Sequence, residues 1–234
     1  MLTIRNTGSI ADVIASVRDV PARVIPYAAS IAMTRSAQAA QKEVRAEMLR
    51  VFDRPTPYTL NSMYIEPASI TKLEARIAVK NQPGSGVRPE NFLYPEVDGG
   101  GRKAKGFESA MRGAGFLKPG MFIMPGKETK LDQYGNVSGS NIRSVMALLA
   151  NTRGTSGKKL RNSLFVGKPA GGTRPDGIWR REGKRLRPLF IFTSRAPHYA
   201  ARLDFTGVVQ SVVLKRFSDE FYKSVTTILS KARA

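Results

Sequence analysis

Residues 23–52 read RVIPYAASIAMTRSAQAAQKEVRAEMLRVF, and this stretch has the clearest period of the chain. Small and apolar residues recur in it at intervals of three and four, which places them on one stripe of a helix. They are Val24 or Ile25, Ala28, Ala29, Ala32, Ser36, Ala39, Ala40, Val44, Met48, Val51 and Phe52. The pattern predicts an amphipathic helix of about 30 residues, roughly 45 Å long at the usual rise per residue.

Most of this stripe is alanine, so a packing partner can approach the helix closely. Polar and basic side chains lie mostly off the stripe, which leaves the opposite face in solvent. Pro21 or Pro26 falls in the first turn, where a missing N–H costs least, and the prolines of residues 53–57 end the helix. The sequence therefore predicts a core helix that packs against another element.

A second long helix is predicted near the end of the chain, at about 206–232. Its apolar stripe contains Val209, Val212, Val213, Phe217, Phe221, Val225, Ile228 and Leu229. Either Asp204 or Thr206 can cap its first turn. Its length and pattern match those of the first long helix, so we expect both helices to cover the same sheet.

Between the two helices the elements are short. Alternation predicts a strand over residues 70–80, and apolar runs predict strands at 92–94, 121–124, 163–166, 177–181 and 186–193. Residues 106–116 and a segment capped by Ser140 have helical spacing. Residues 98–105 are expected to be a flexible basic loop. Residues 153–161 have almost no apolar side chain, so we expect this loop to be disordered or to be ordered by a partner.

This order of elements predicts an α+β fold, an antiparallel sheet packed by the N-terminal and C-terminal helices, with long glycine-rich basic loops. The turns at Gly171-Gly172 and Gly183-Lys184 favour an antiparallel meander. We expect one domain over residues 1–234. Its parts are a long helix at about 22–52, a glycine-rich insertion at about 81–161, a strand meander at about 163–194 and a C-terminal helix at about 206–232.

The charge balance indicates an acidic partner. The 234 residues contain 38 Lys and Arg against 18 Asp and Glu, a formal net charge of +20. Such an excess favours nucleic acid, an anionic membrane or an acidic protein surface. No apolar run approaches the roughly 18 residues of a membrane span, and residues 1–5 do not lead into a signal-peptide core. We therefore expect a protein that is made in the cytoplasm and does not bind membranes.

Catalytic and metal-binding patterns are weak. The chain has no cysteine and one histidine, His198, which we interpret as a structural turn residue. Residues 99–103 lack the spacing of a phosphate-binding loop. Asp132 lacks the spaced acidic ligands of a calcium loop, so we interpret residues 130–136 as a hairpin-like turn. We expect no enzyme activity, no cofactor and no metal.

Positive charge is densest between residues 153 and 187, a segment that contains 11 Lys and Arg and only two acidic residues, Asp176 and Glu182. Such a density can neutralise phosphates or match an acidic neighbouring subunit. Trp179 is the only tryptophan there, which argues against a stacking platform for single strands. The candidate contacts to a protein partner or DNA are Arg102, Lys103, Lys105, Lys158, Lys159, Arg161, Arg180, Arg181, Lys184, Arg185 and Arg187.

Several segments resemble a known family. Residues 25–35, IPYAASIAMTR, open the alanine-rich helix, and residues 75–80, ARIAVK, end a basic strand. Both resemble the minor tail protein Z (tail completion) family of tailed bacteriophages. Further segments are similar to its larger phage and prophage versions, namely FLYPEVDGG at 92–100, KGFE at 105–108, PG at 125–126, LDQYGN at 131–136 and RAPHY at 195–199.

The resemblance implies a structural virion protein without enzyme activity, located in the tail or at the head–tail junction. It implies assembly as a homo-oligomeric ring, for which we expect six copies, docked on neighbouring tail or connector proteins. Two other hypotheses remain open. One is a basic nucleic-acid-binding protein that contacts phage DNA, and the other is a hydrolase acting on envelope polymers.

Overall fold

The computed structural model describes residues 21–81, 87–152, 164–170 and 173–233. The helices are α1 (Val24–Val51), α2 (Pro57–Leu60), α3 (Glu90–Asp98), α4 (Gly106–Gly113), α5 (Gly139–Thr152) and α6 (Phe205–Arg233). The strands are β1 (Met63–Glu66), β2 (Arg76–Val79), β3 (Gly100–Gly101), β4 (Phe122–Pro125), β5 (Leu164–Gly167), β6 (Gly177–Glu182), β7 (Arg185–Thr193) and β8 (His198–Tyr199).

The chain divides into two compact units. We call residues 1–99 and 200–234 the terminal unit, and residues 100–199 the central unit. The predicted α+β class is confirmed, with two long helices and antiparallel sheets. The prediction of a single domain over the whole chain stays a prediction.

The two long helices form the centre of the terminal unit. The start of α1 packs on the second half of α6, where Ala28, Ala29 and Ala32 contact Phe217 and Phe221. The end of α1 instead shares a core with the start of α6, so the two helices run antiparallel. The alanine stripe thus leaves room for aromatic rings, and burying such a ring contributes about 1.5–3 kcal/mol.

A two-stranded antiparallel sheet adds to this core. β1 pairs with β2 from Met63↔Val79 to Glu66↔Arg76. Met63 and Ile77 pack with Met48 of α1 and Phe205 of α6. The side chain of Gln41 donates to the carbonyl of Met63 at 3.1 Å, which fixes the strand along the helix.

The ends of the long helices agree with the predicted signals. Pro26 lies in the first turn of α1. The Asp204 carboxylate accepts the backbone N–H of Gly207 at 2.9 Å, so Asp204 caps α6. In the central unit, Ser138 rather than Ser140 caps α5, because its Oγ accepts the N–H of Asn141 at 3.2 Å.

Of the strands predicted in the terminal unit, one is shorter than expected and one is wrong. Only residues 76–79 of the predicted strand at 70–80 pair with a neighbour, because Ser69 and Lys72 exchange backbone hydrogen bonds in a turn. Residues 92–94 lie in helix α3, which begins next to Pro89 and contains Pro95. The buried Leu93 contributes to the core shared with α1. Tertiary packing of this side chain therefore has more influence on the local structure than the strand preference of the short apolar run.

The central unit is built on a four-stranded antiparallel sheet with the order β4-β7-β6-β5. The predicted meander of β5, β6 and β7 is present, and β4 joins its outer side. Ile123 lies opposite Phe192, and Ile178 opposite Phe190. These side chains pack with Met111 of α4 and with Val145 and Leu149 of α5, which places both helices on the core of this sheet.

The segment 98–105, predicted as a flexible loop, is partly ordered by pairing. β3 pairs with β8, with Gly101 opposite His198. Gly99 and Gly100 have φ of 75° and 96°, values that favour glycine. The predicted insertion at 81–161 likewise contains α3, β3, α4, β4 and α5 in its described residues. In the described residues of this insertion, the glycines therefore lie within or between short helices and strands and not in one long flexible loop.

Candidate interaction surface

The positive charge is concentrated in the central unit. By sequence, that unit has 20 Lys and Arg against 5 Asp and Glu, whereas the terminal unit has 18 against 13. The central unit therefore carries +15 of the net +20. A potential of this sign attracts polyanions or an acidic protein surface to one part of the chain.

Five of these 20 cations lie close together at the end of the β6–β7 hairpin, residues 180–187, which we call the hairpin tip. Glu182 lies opposite Arg185, and the two-residue turn between them has Gly183 at φ 60°. A two-residue turn with positive φ matches the twist of a hairpin. Residues 180–185 are all exposed.

The tip extends beyond its described neighbours in the sheet. β5 pairs with β6 only as far as Arg180, and β4 pairs with β7 only as far as Phe190. Past that point, Gly126 and Glu128 donate their N–H groups to Leu189 and Pro188. Among the described residues, the backbone of the rest of the tip is paired only between its own two strands.

Arg187 is the only cation of the tip that has an acidic partner among the described residues. Its guanidinium lies 2.6 Å from Glu128 and 2.7 Å from Glu182. The hydrogen bond to Glu128 and the charge of Glu182 raise the pKa of Arg187. These carboxylates also offset the repulsion between Arg187 and Arg180, which lie directly opposite each other.

The other four cations of the tip have no acidic partner within the described part of the chain. They are Arg180, Arg181, Lys184 and Arg185. Exposed guanidinium groups bind carboxylates or phosphates in a bidentate way, and the lysine adds a point charge. The tip can therefore contact an anionic partner without breaking an ion pair of its own.

The three candidate cations near residue 102 have different environments. Lys103 and Lys105 are exposed, but the Arg102 side chain is 7% exposed and forms an ion pair with Glu108. Lys105 is exposed as a residue, but its ammonium group is partly desolvated, and this desolvation together with the charge of Arg102 lowers the pKa of Lys105. Arg102 therefore serves the interior of the central unit, whereas Lys103 and Lys105 can face a partner. The predicted candidates Lys158, Lys159 and Arg161 lie outside the described residues.

The residues considered for catalysis or metal binding, His198 and Asp132, both lie in ordinary secondary structure or turns. His198, predicted as a turn residue, instead lies exposed in strand β8, opposite Gly101. The Asp132 carboxylate accepts the N–H groups of Tyr134 and Asn136, each at 2.9 Å, which confirms the predicted turn. Over residues 21–81, 87–152, 164–170 and 173–233, no group of three or more His, Asp and Glu could hold a metal ion. Among the helices in these ranges, none is long and apolar enough to cross a membrane.

An apolar pocket and an exposed loop of the terminal unit are not predicted by the sequence patterns. The pocket is apolar and lies between α1, the β1–β2 sheet, α3 and the first residues of α6. The loop follows β1 and exposes Ile70 and Leu73. The alternating pattern of residues 70–80 favours a strand over this loop, although Ser69 and Thr71 beside Ile70 are residues typical of turns.

Comparisons with models of known protein families, with curated proteins and with solved structures found no match for this chain.

Proposed function

We propose that the chain is a structural protein of a tailed-bacteriophage virion, a tail completion or minor tail component at the head–tail junction or in the tail. It assembles as a ring and docks on neighbouring tail or connector proteins. The protein is made in the host cytoplasm and acts without catalysis or a cofactor. The family resemblance of the segments quoted above supports this assignment.

The observation that carries the docking role is the hairpin tip. It presents Arg180, Arg181, Lys184 and Arg185 on a narrow two-stranded projection, without acidic partners among the described residues. The antiparallel pairing of the two strands sets the spacing of these charges, so the tip can match a surface with complementary carboxylates. Complementary charge of this kind contributes mainly to the specificity and rate of association.

The experiment is charge reversal at the tip, with the triple variant Arg181→Glu, Lys184→Glu and Arg185→Glu in the phage or prophage that encodes the chain. We expect loss of complete particles, while the urea midpoint of the purified variant stays unchanged because the three side chains are exposed. Reversal at Lys158, Lys159 and Arg161 is expected to have the same effect.

A matched control reverses Lys42, Arg45 and Lys215, which are exposed on the long helices of the terminal unit. It makes the same change in net charge at a different place. Particle assembly should survive in this control. Normal assembly of the tip variant, or equal loss in both variants, would contradict docking through the tip.

A second candidate function is direct contact with phage DNA. The tip favours it because three of the four unpaired cations are arginines, and a two-stranded β-ribbon fits the major groove. Affinity for duplex DNA near physiological ionic strength separates the two functions. Tight binding there would favour DNA contact, and weak binding together with the assembly defect would favour protein docking.

A further inference from the structure

The terminal unit contains an apolar pocket of about 270 Å³. Its walls are aliphatic and aromatic side chains, among them Met63, Ile77, Val79, Leu93, Val97 and Phe205. An apolar cavity of about 150 Å³ holds one benzene molecule, so this pocket has room for two aliphatic side chains. Tyr94, Asp98 and Thr206 also line it and are exposed, so the pocket opens to solvent.

The carboxylate of Asp98 places a negative charge at the rim of this pocket. Asp98 has no ion-pair partner among the described residues, although the chain as a whole is strongly basic. An exposed carboxylate beside an apolar pocket favours an occupant with apolar side chains and an adjacent cation.

The loop after β1 has this combination of side chains. Backbone hydrogen bonds between Ser69 and Lys72 close a turn, and Ser69 Oγ accepts the N–H of Lys72 at 3.0 Å. The turn holds Ile70 55% exposed and Leu73 41% exposed, with Lys72 between them. Such exposed aliphatic side chains on an ordered turn are suited to insertion into a partner.

The ammonium group of Lys72 is only loosely held within its own chain. It lies 3.7 Å from Glu74, whose carboxylate is bound more closely by Arg76 at 2.7 Å. Exchanging this weak contact for a carboxylate of another molecule costs little.

We propose that the loop of residues 69–73 inserts into the apolar pocket of a second copy of this chain, with Ile70 and Leu73 inside the pocket and Lys72 beside Asp98. This contact is the repeating junction of the ring, and it therefore rests on the ring assembly proposed above.

The positions of the loop and the pocket favour a second copy as the occupant. The loop follows the Glu66↔Arg76 pair at one end of the β1–β2 sheet, whereas the pocket extends along β2 from Ile77 to Val79 and reaches Met63 at the other end. The three residue steps from Met63 to Glu66 separate these ends by roughly 10 Å. Each copy therefore offers a loop at one end and a pocket at the other, a head-to-tail contact that forms a ring when its rotation closes.

Disulfide trapping tests this contact directly, because the natural chain has no cysteine. One batch of the full chain carries Leu73→Cys and a second carries Tyr94→Cys, and the two are mixed and oxidised by air with a copper catalyst. We expect a mixed disulfide dimer in several-fold higher yield than from the control pair of Leu73→Cys with Leu214→Cys. Leu214 is 71% exposed and lies on α6, away from the pocket lining.

Charge exchange at the junction gives a second readout. Lys72→Glu or Asp98→Lys, added to the trapping pair, should each lower the dimer yield, and the two together should restore it. All four side chains are exposed, and circular dichroism checks that each variant remains folded. A merely structural role of either residue would not produce this rescue.

Two results would overturn the proposal. A trapping yield equal to that of the control pair would mean that the loop does not occupy the pocket of another copy, whether a different protein fills the pocket or none does. Unchanged yields with both single charge variants would exclude the pairing of Lys72 with Asp98. If particle assembly still depends on the hairpin tip in either case, the proposed virion function stands and only this junction fails.

Discussion

The carboxylate of Glu108 accepts hydrogen bonds from both terminal nitrogens of Arg102, at 2.8 Å from Nη1 and 2.7 Å from Nη2. It also accepts the backbone N–H groups of Lys105 at 2.8 Å and Ile123 at 2.9 Å. The Glu108 side chain is 1% exposed and the Arg102 side chain is 7% exposed. The Arg102 guanidinium lies over the Phe122 ring. One buried carboxylate therefore joins the segment after β3, the start of α4 and strand β4.

This ion pair predicts a dependence of stability on pH. Burial alone raises the pKa of Glu108, but the hydrogen bonds from Arg102, Ile123 and Lys105 and the charge of Arg102 outweigh it and lower the pKa from 4.5 to about 2. A pKa lowered in the folded state stabilises the fold above the unfolded value, and this contribution is lost as pH falls from about 4.5 to about 2. We expect a loss of about 3 kcal/mol from this group.

The measurement is the free energy of unfolding in urea at a series of pH values, for the natural chain and for Glu108→Gln. The variant should be less stable at neutral pH by about 3–5 kcal/mol, because a buried guanidinium loses its partner. The difference between the two proteins should shrink as the pH falls. Parallel profiles for the two proteins would argue against this role of Glu108.

The close packing of α1 on α6 predicts different effects at two alanines of the same stripe. Ala32 is completely buried beside Phe217 and Phe221, whereas Ala39 is only half-buried. Ala32→Leu should overpack this contact and cost about 1–3 kcal/mol. Ala39→Leu is the matched control and should cost less. Urea midpoints give the comparison, and an unchanged midpoint for Ala32→Leu would speak against tight helix packing.

The size of the proposed junction predicts the behaviour of the protein alone. A contact of one loop with one pocket is smaller than a stable interface, which buries about 1,200–2,000 Å². We therefore expect the purified protein to be monomeric or polydisperse, and to form a defined ring only on its partner. Sedimentation velocity over a range of concentrations measures this. A closed ring formed by the lone protein at micromolar concentration is the contrary result.

The hairpin tip predicts weak binding to DNA that depends on salt and not on sequence. The logarithm of the affinity should fall linearly with the logarithm of salt concentration, with a slope of about −0.9 for each phosphate neutralised. Replacing Arg181 by alanine should reduce the slope by at most about 1. Fluorescence anisotropy with a random duplex provides the measurement. Sub-micromolar binding near physiological ionic strength, together with normal assembly of the charge-reversed tip variant, would favour the DNA function.

The sequence predicts the elements whose signals are local and long. The period of α1 and α6 extends over many turns, and Asp204 and Gly183 are residues with a known preference for a helix cap and a tight turn. These features depend on neighbours within a few residues along the chain. They could therefore be located without any knowledge of tertiary contacts.

The features that the sequence does not predict depend on distant residues. Arg102 resembles its exposed neighbours in a glycine-rich basic segment, and only the positions of Glu108 and Phe122 bury it. The apolar pocket has walls from separate helices and strands, so no single segment carries its signal. The short apolar run at 92–94 is compatible with a strand or a helix when the sequence is considered alone. In the structure it is helical, and Leu93 packs in the core.

The outer strand edges of the hairpin tip could lower the solubility of the free protein by joining other sheet edges. Beyond Arg180 on β6 and Pro188 on β7, no described strand or loop pairs with their outer edges, and such unpaired edges can join another sheet edge and begin aggregation. Charged side chains on an edge oppose this, because two copies bring like charges together. The same arginines and lysine that suit an acidic partner therefore keep free copies from pairing with one another before that partner is met.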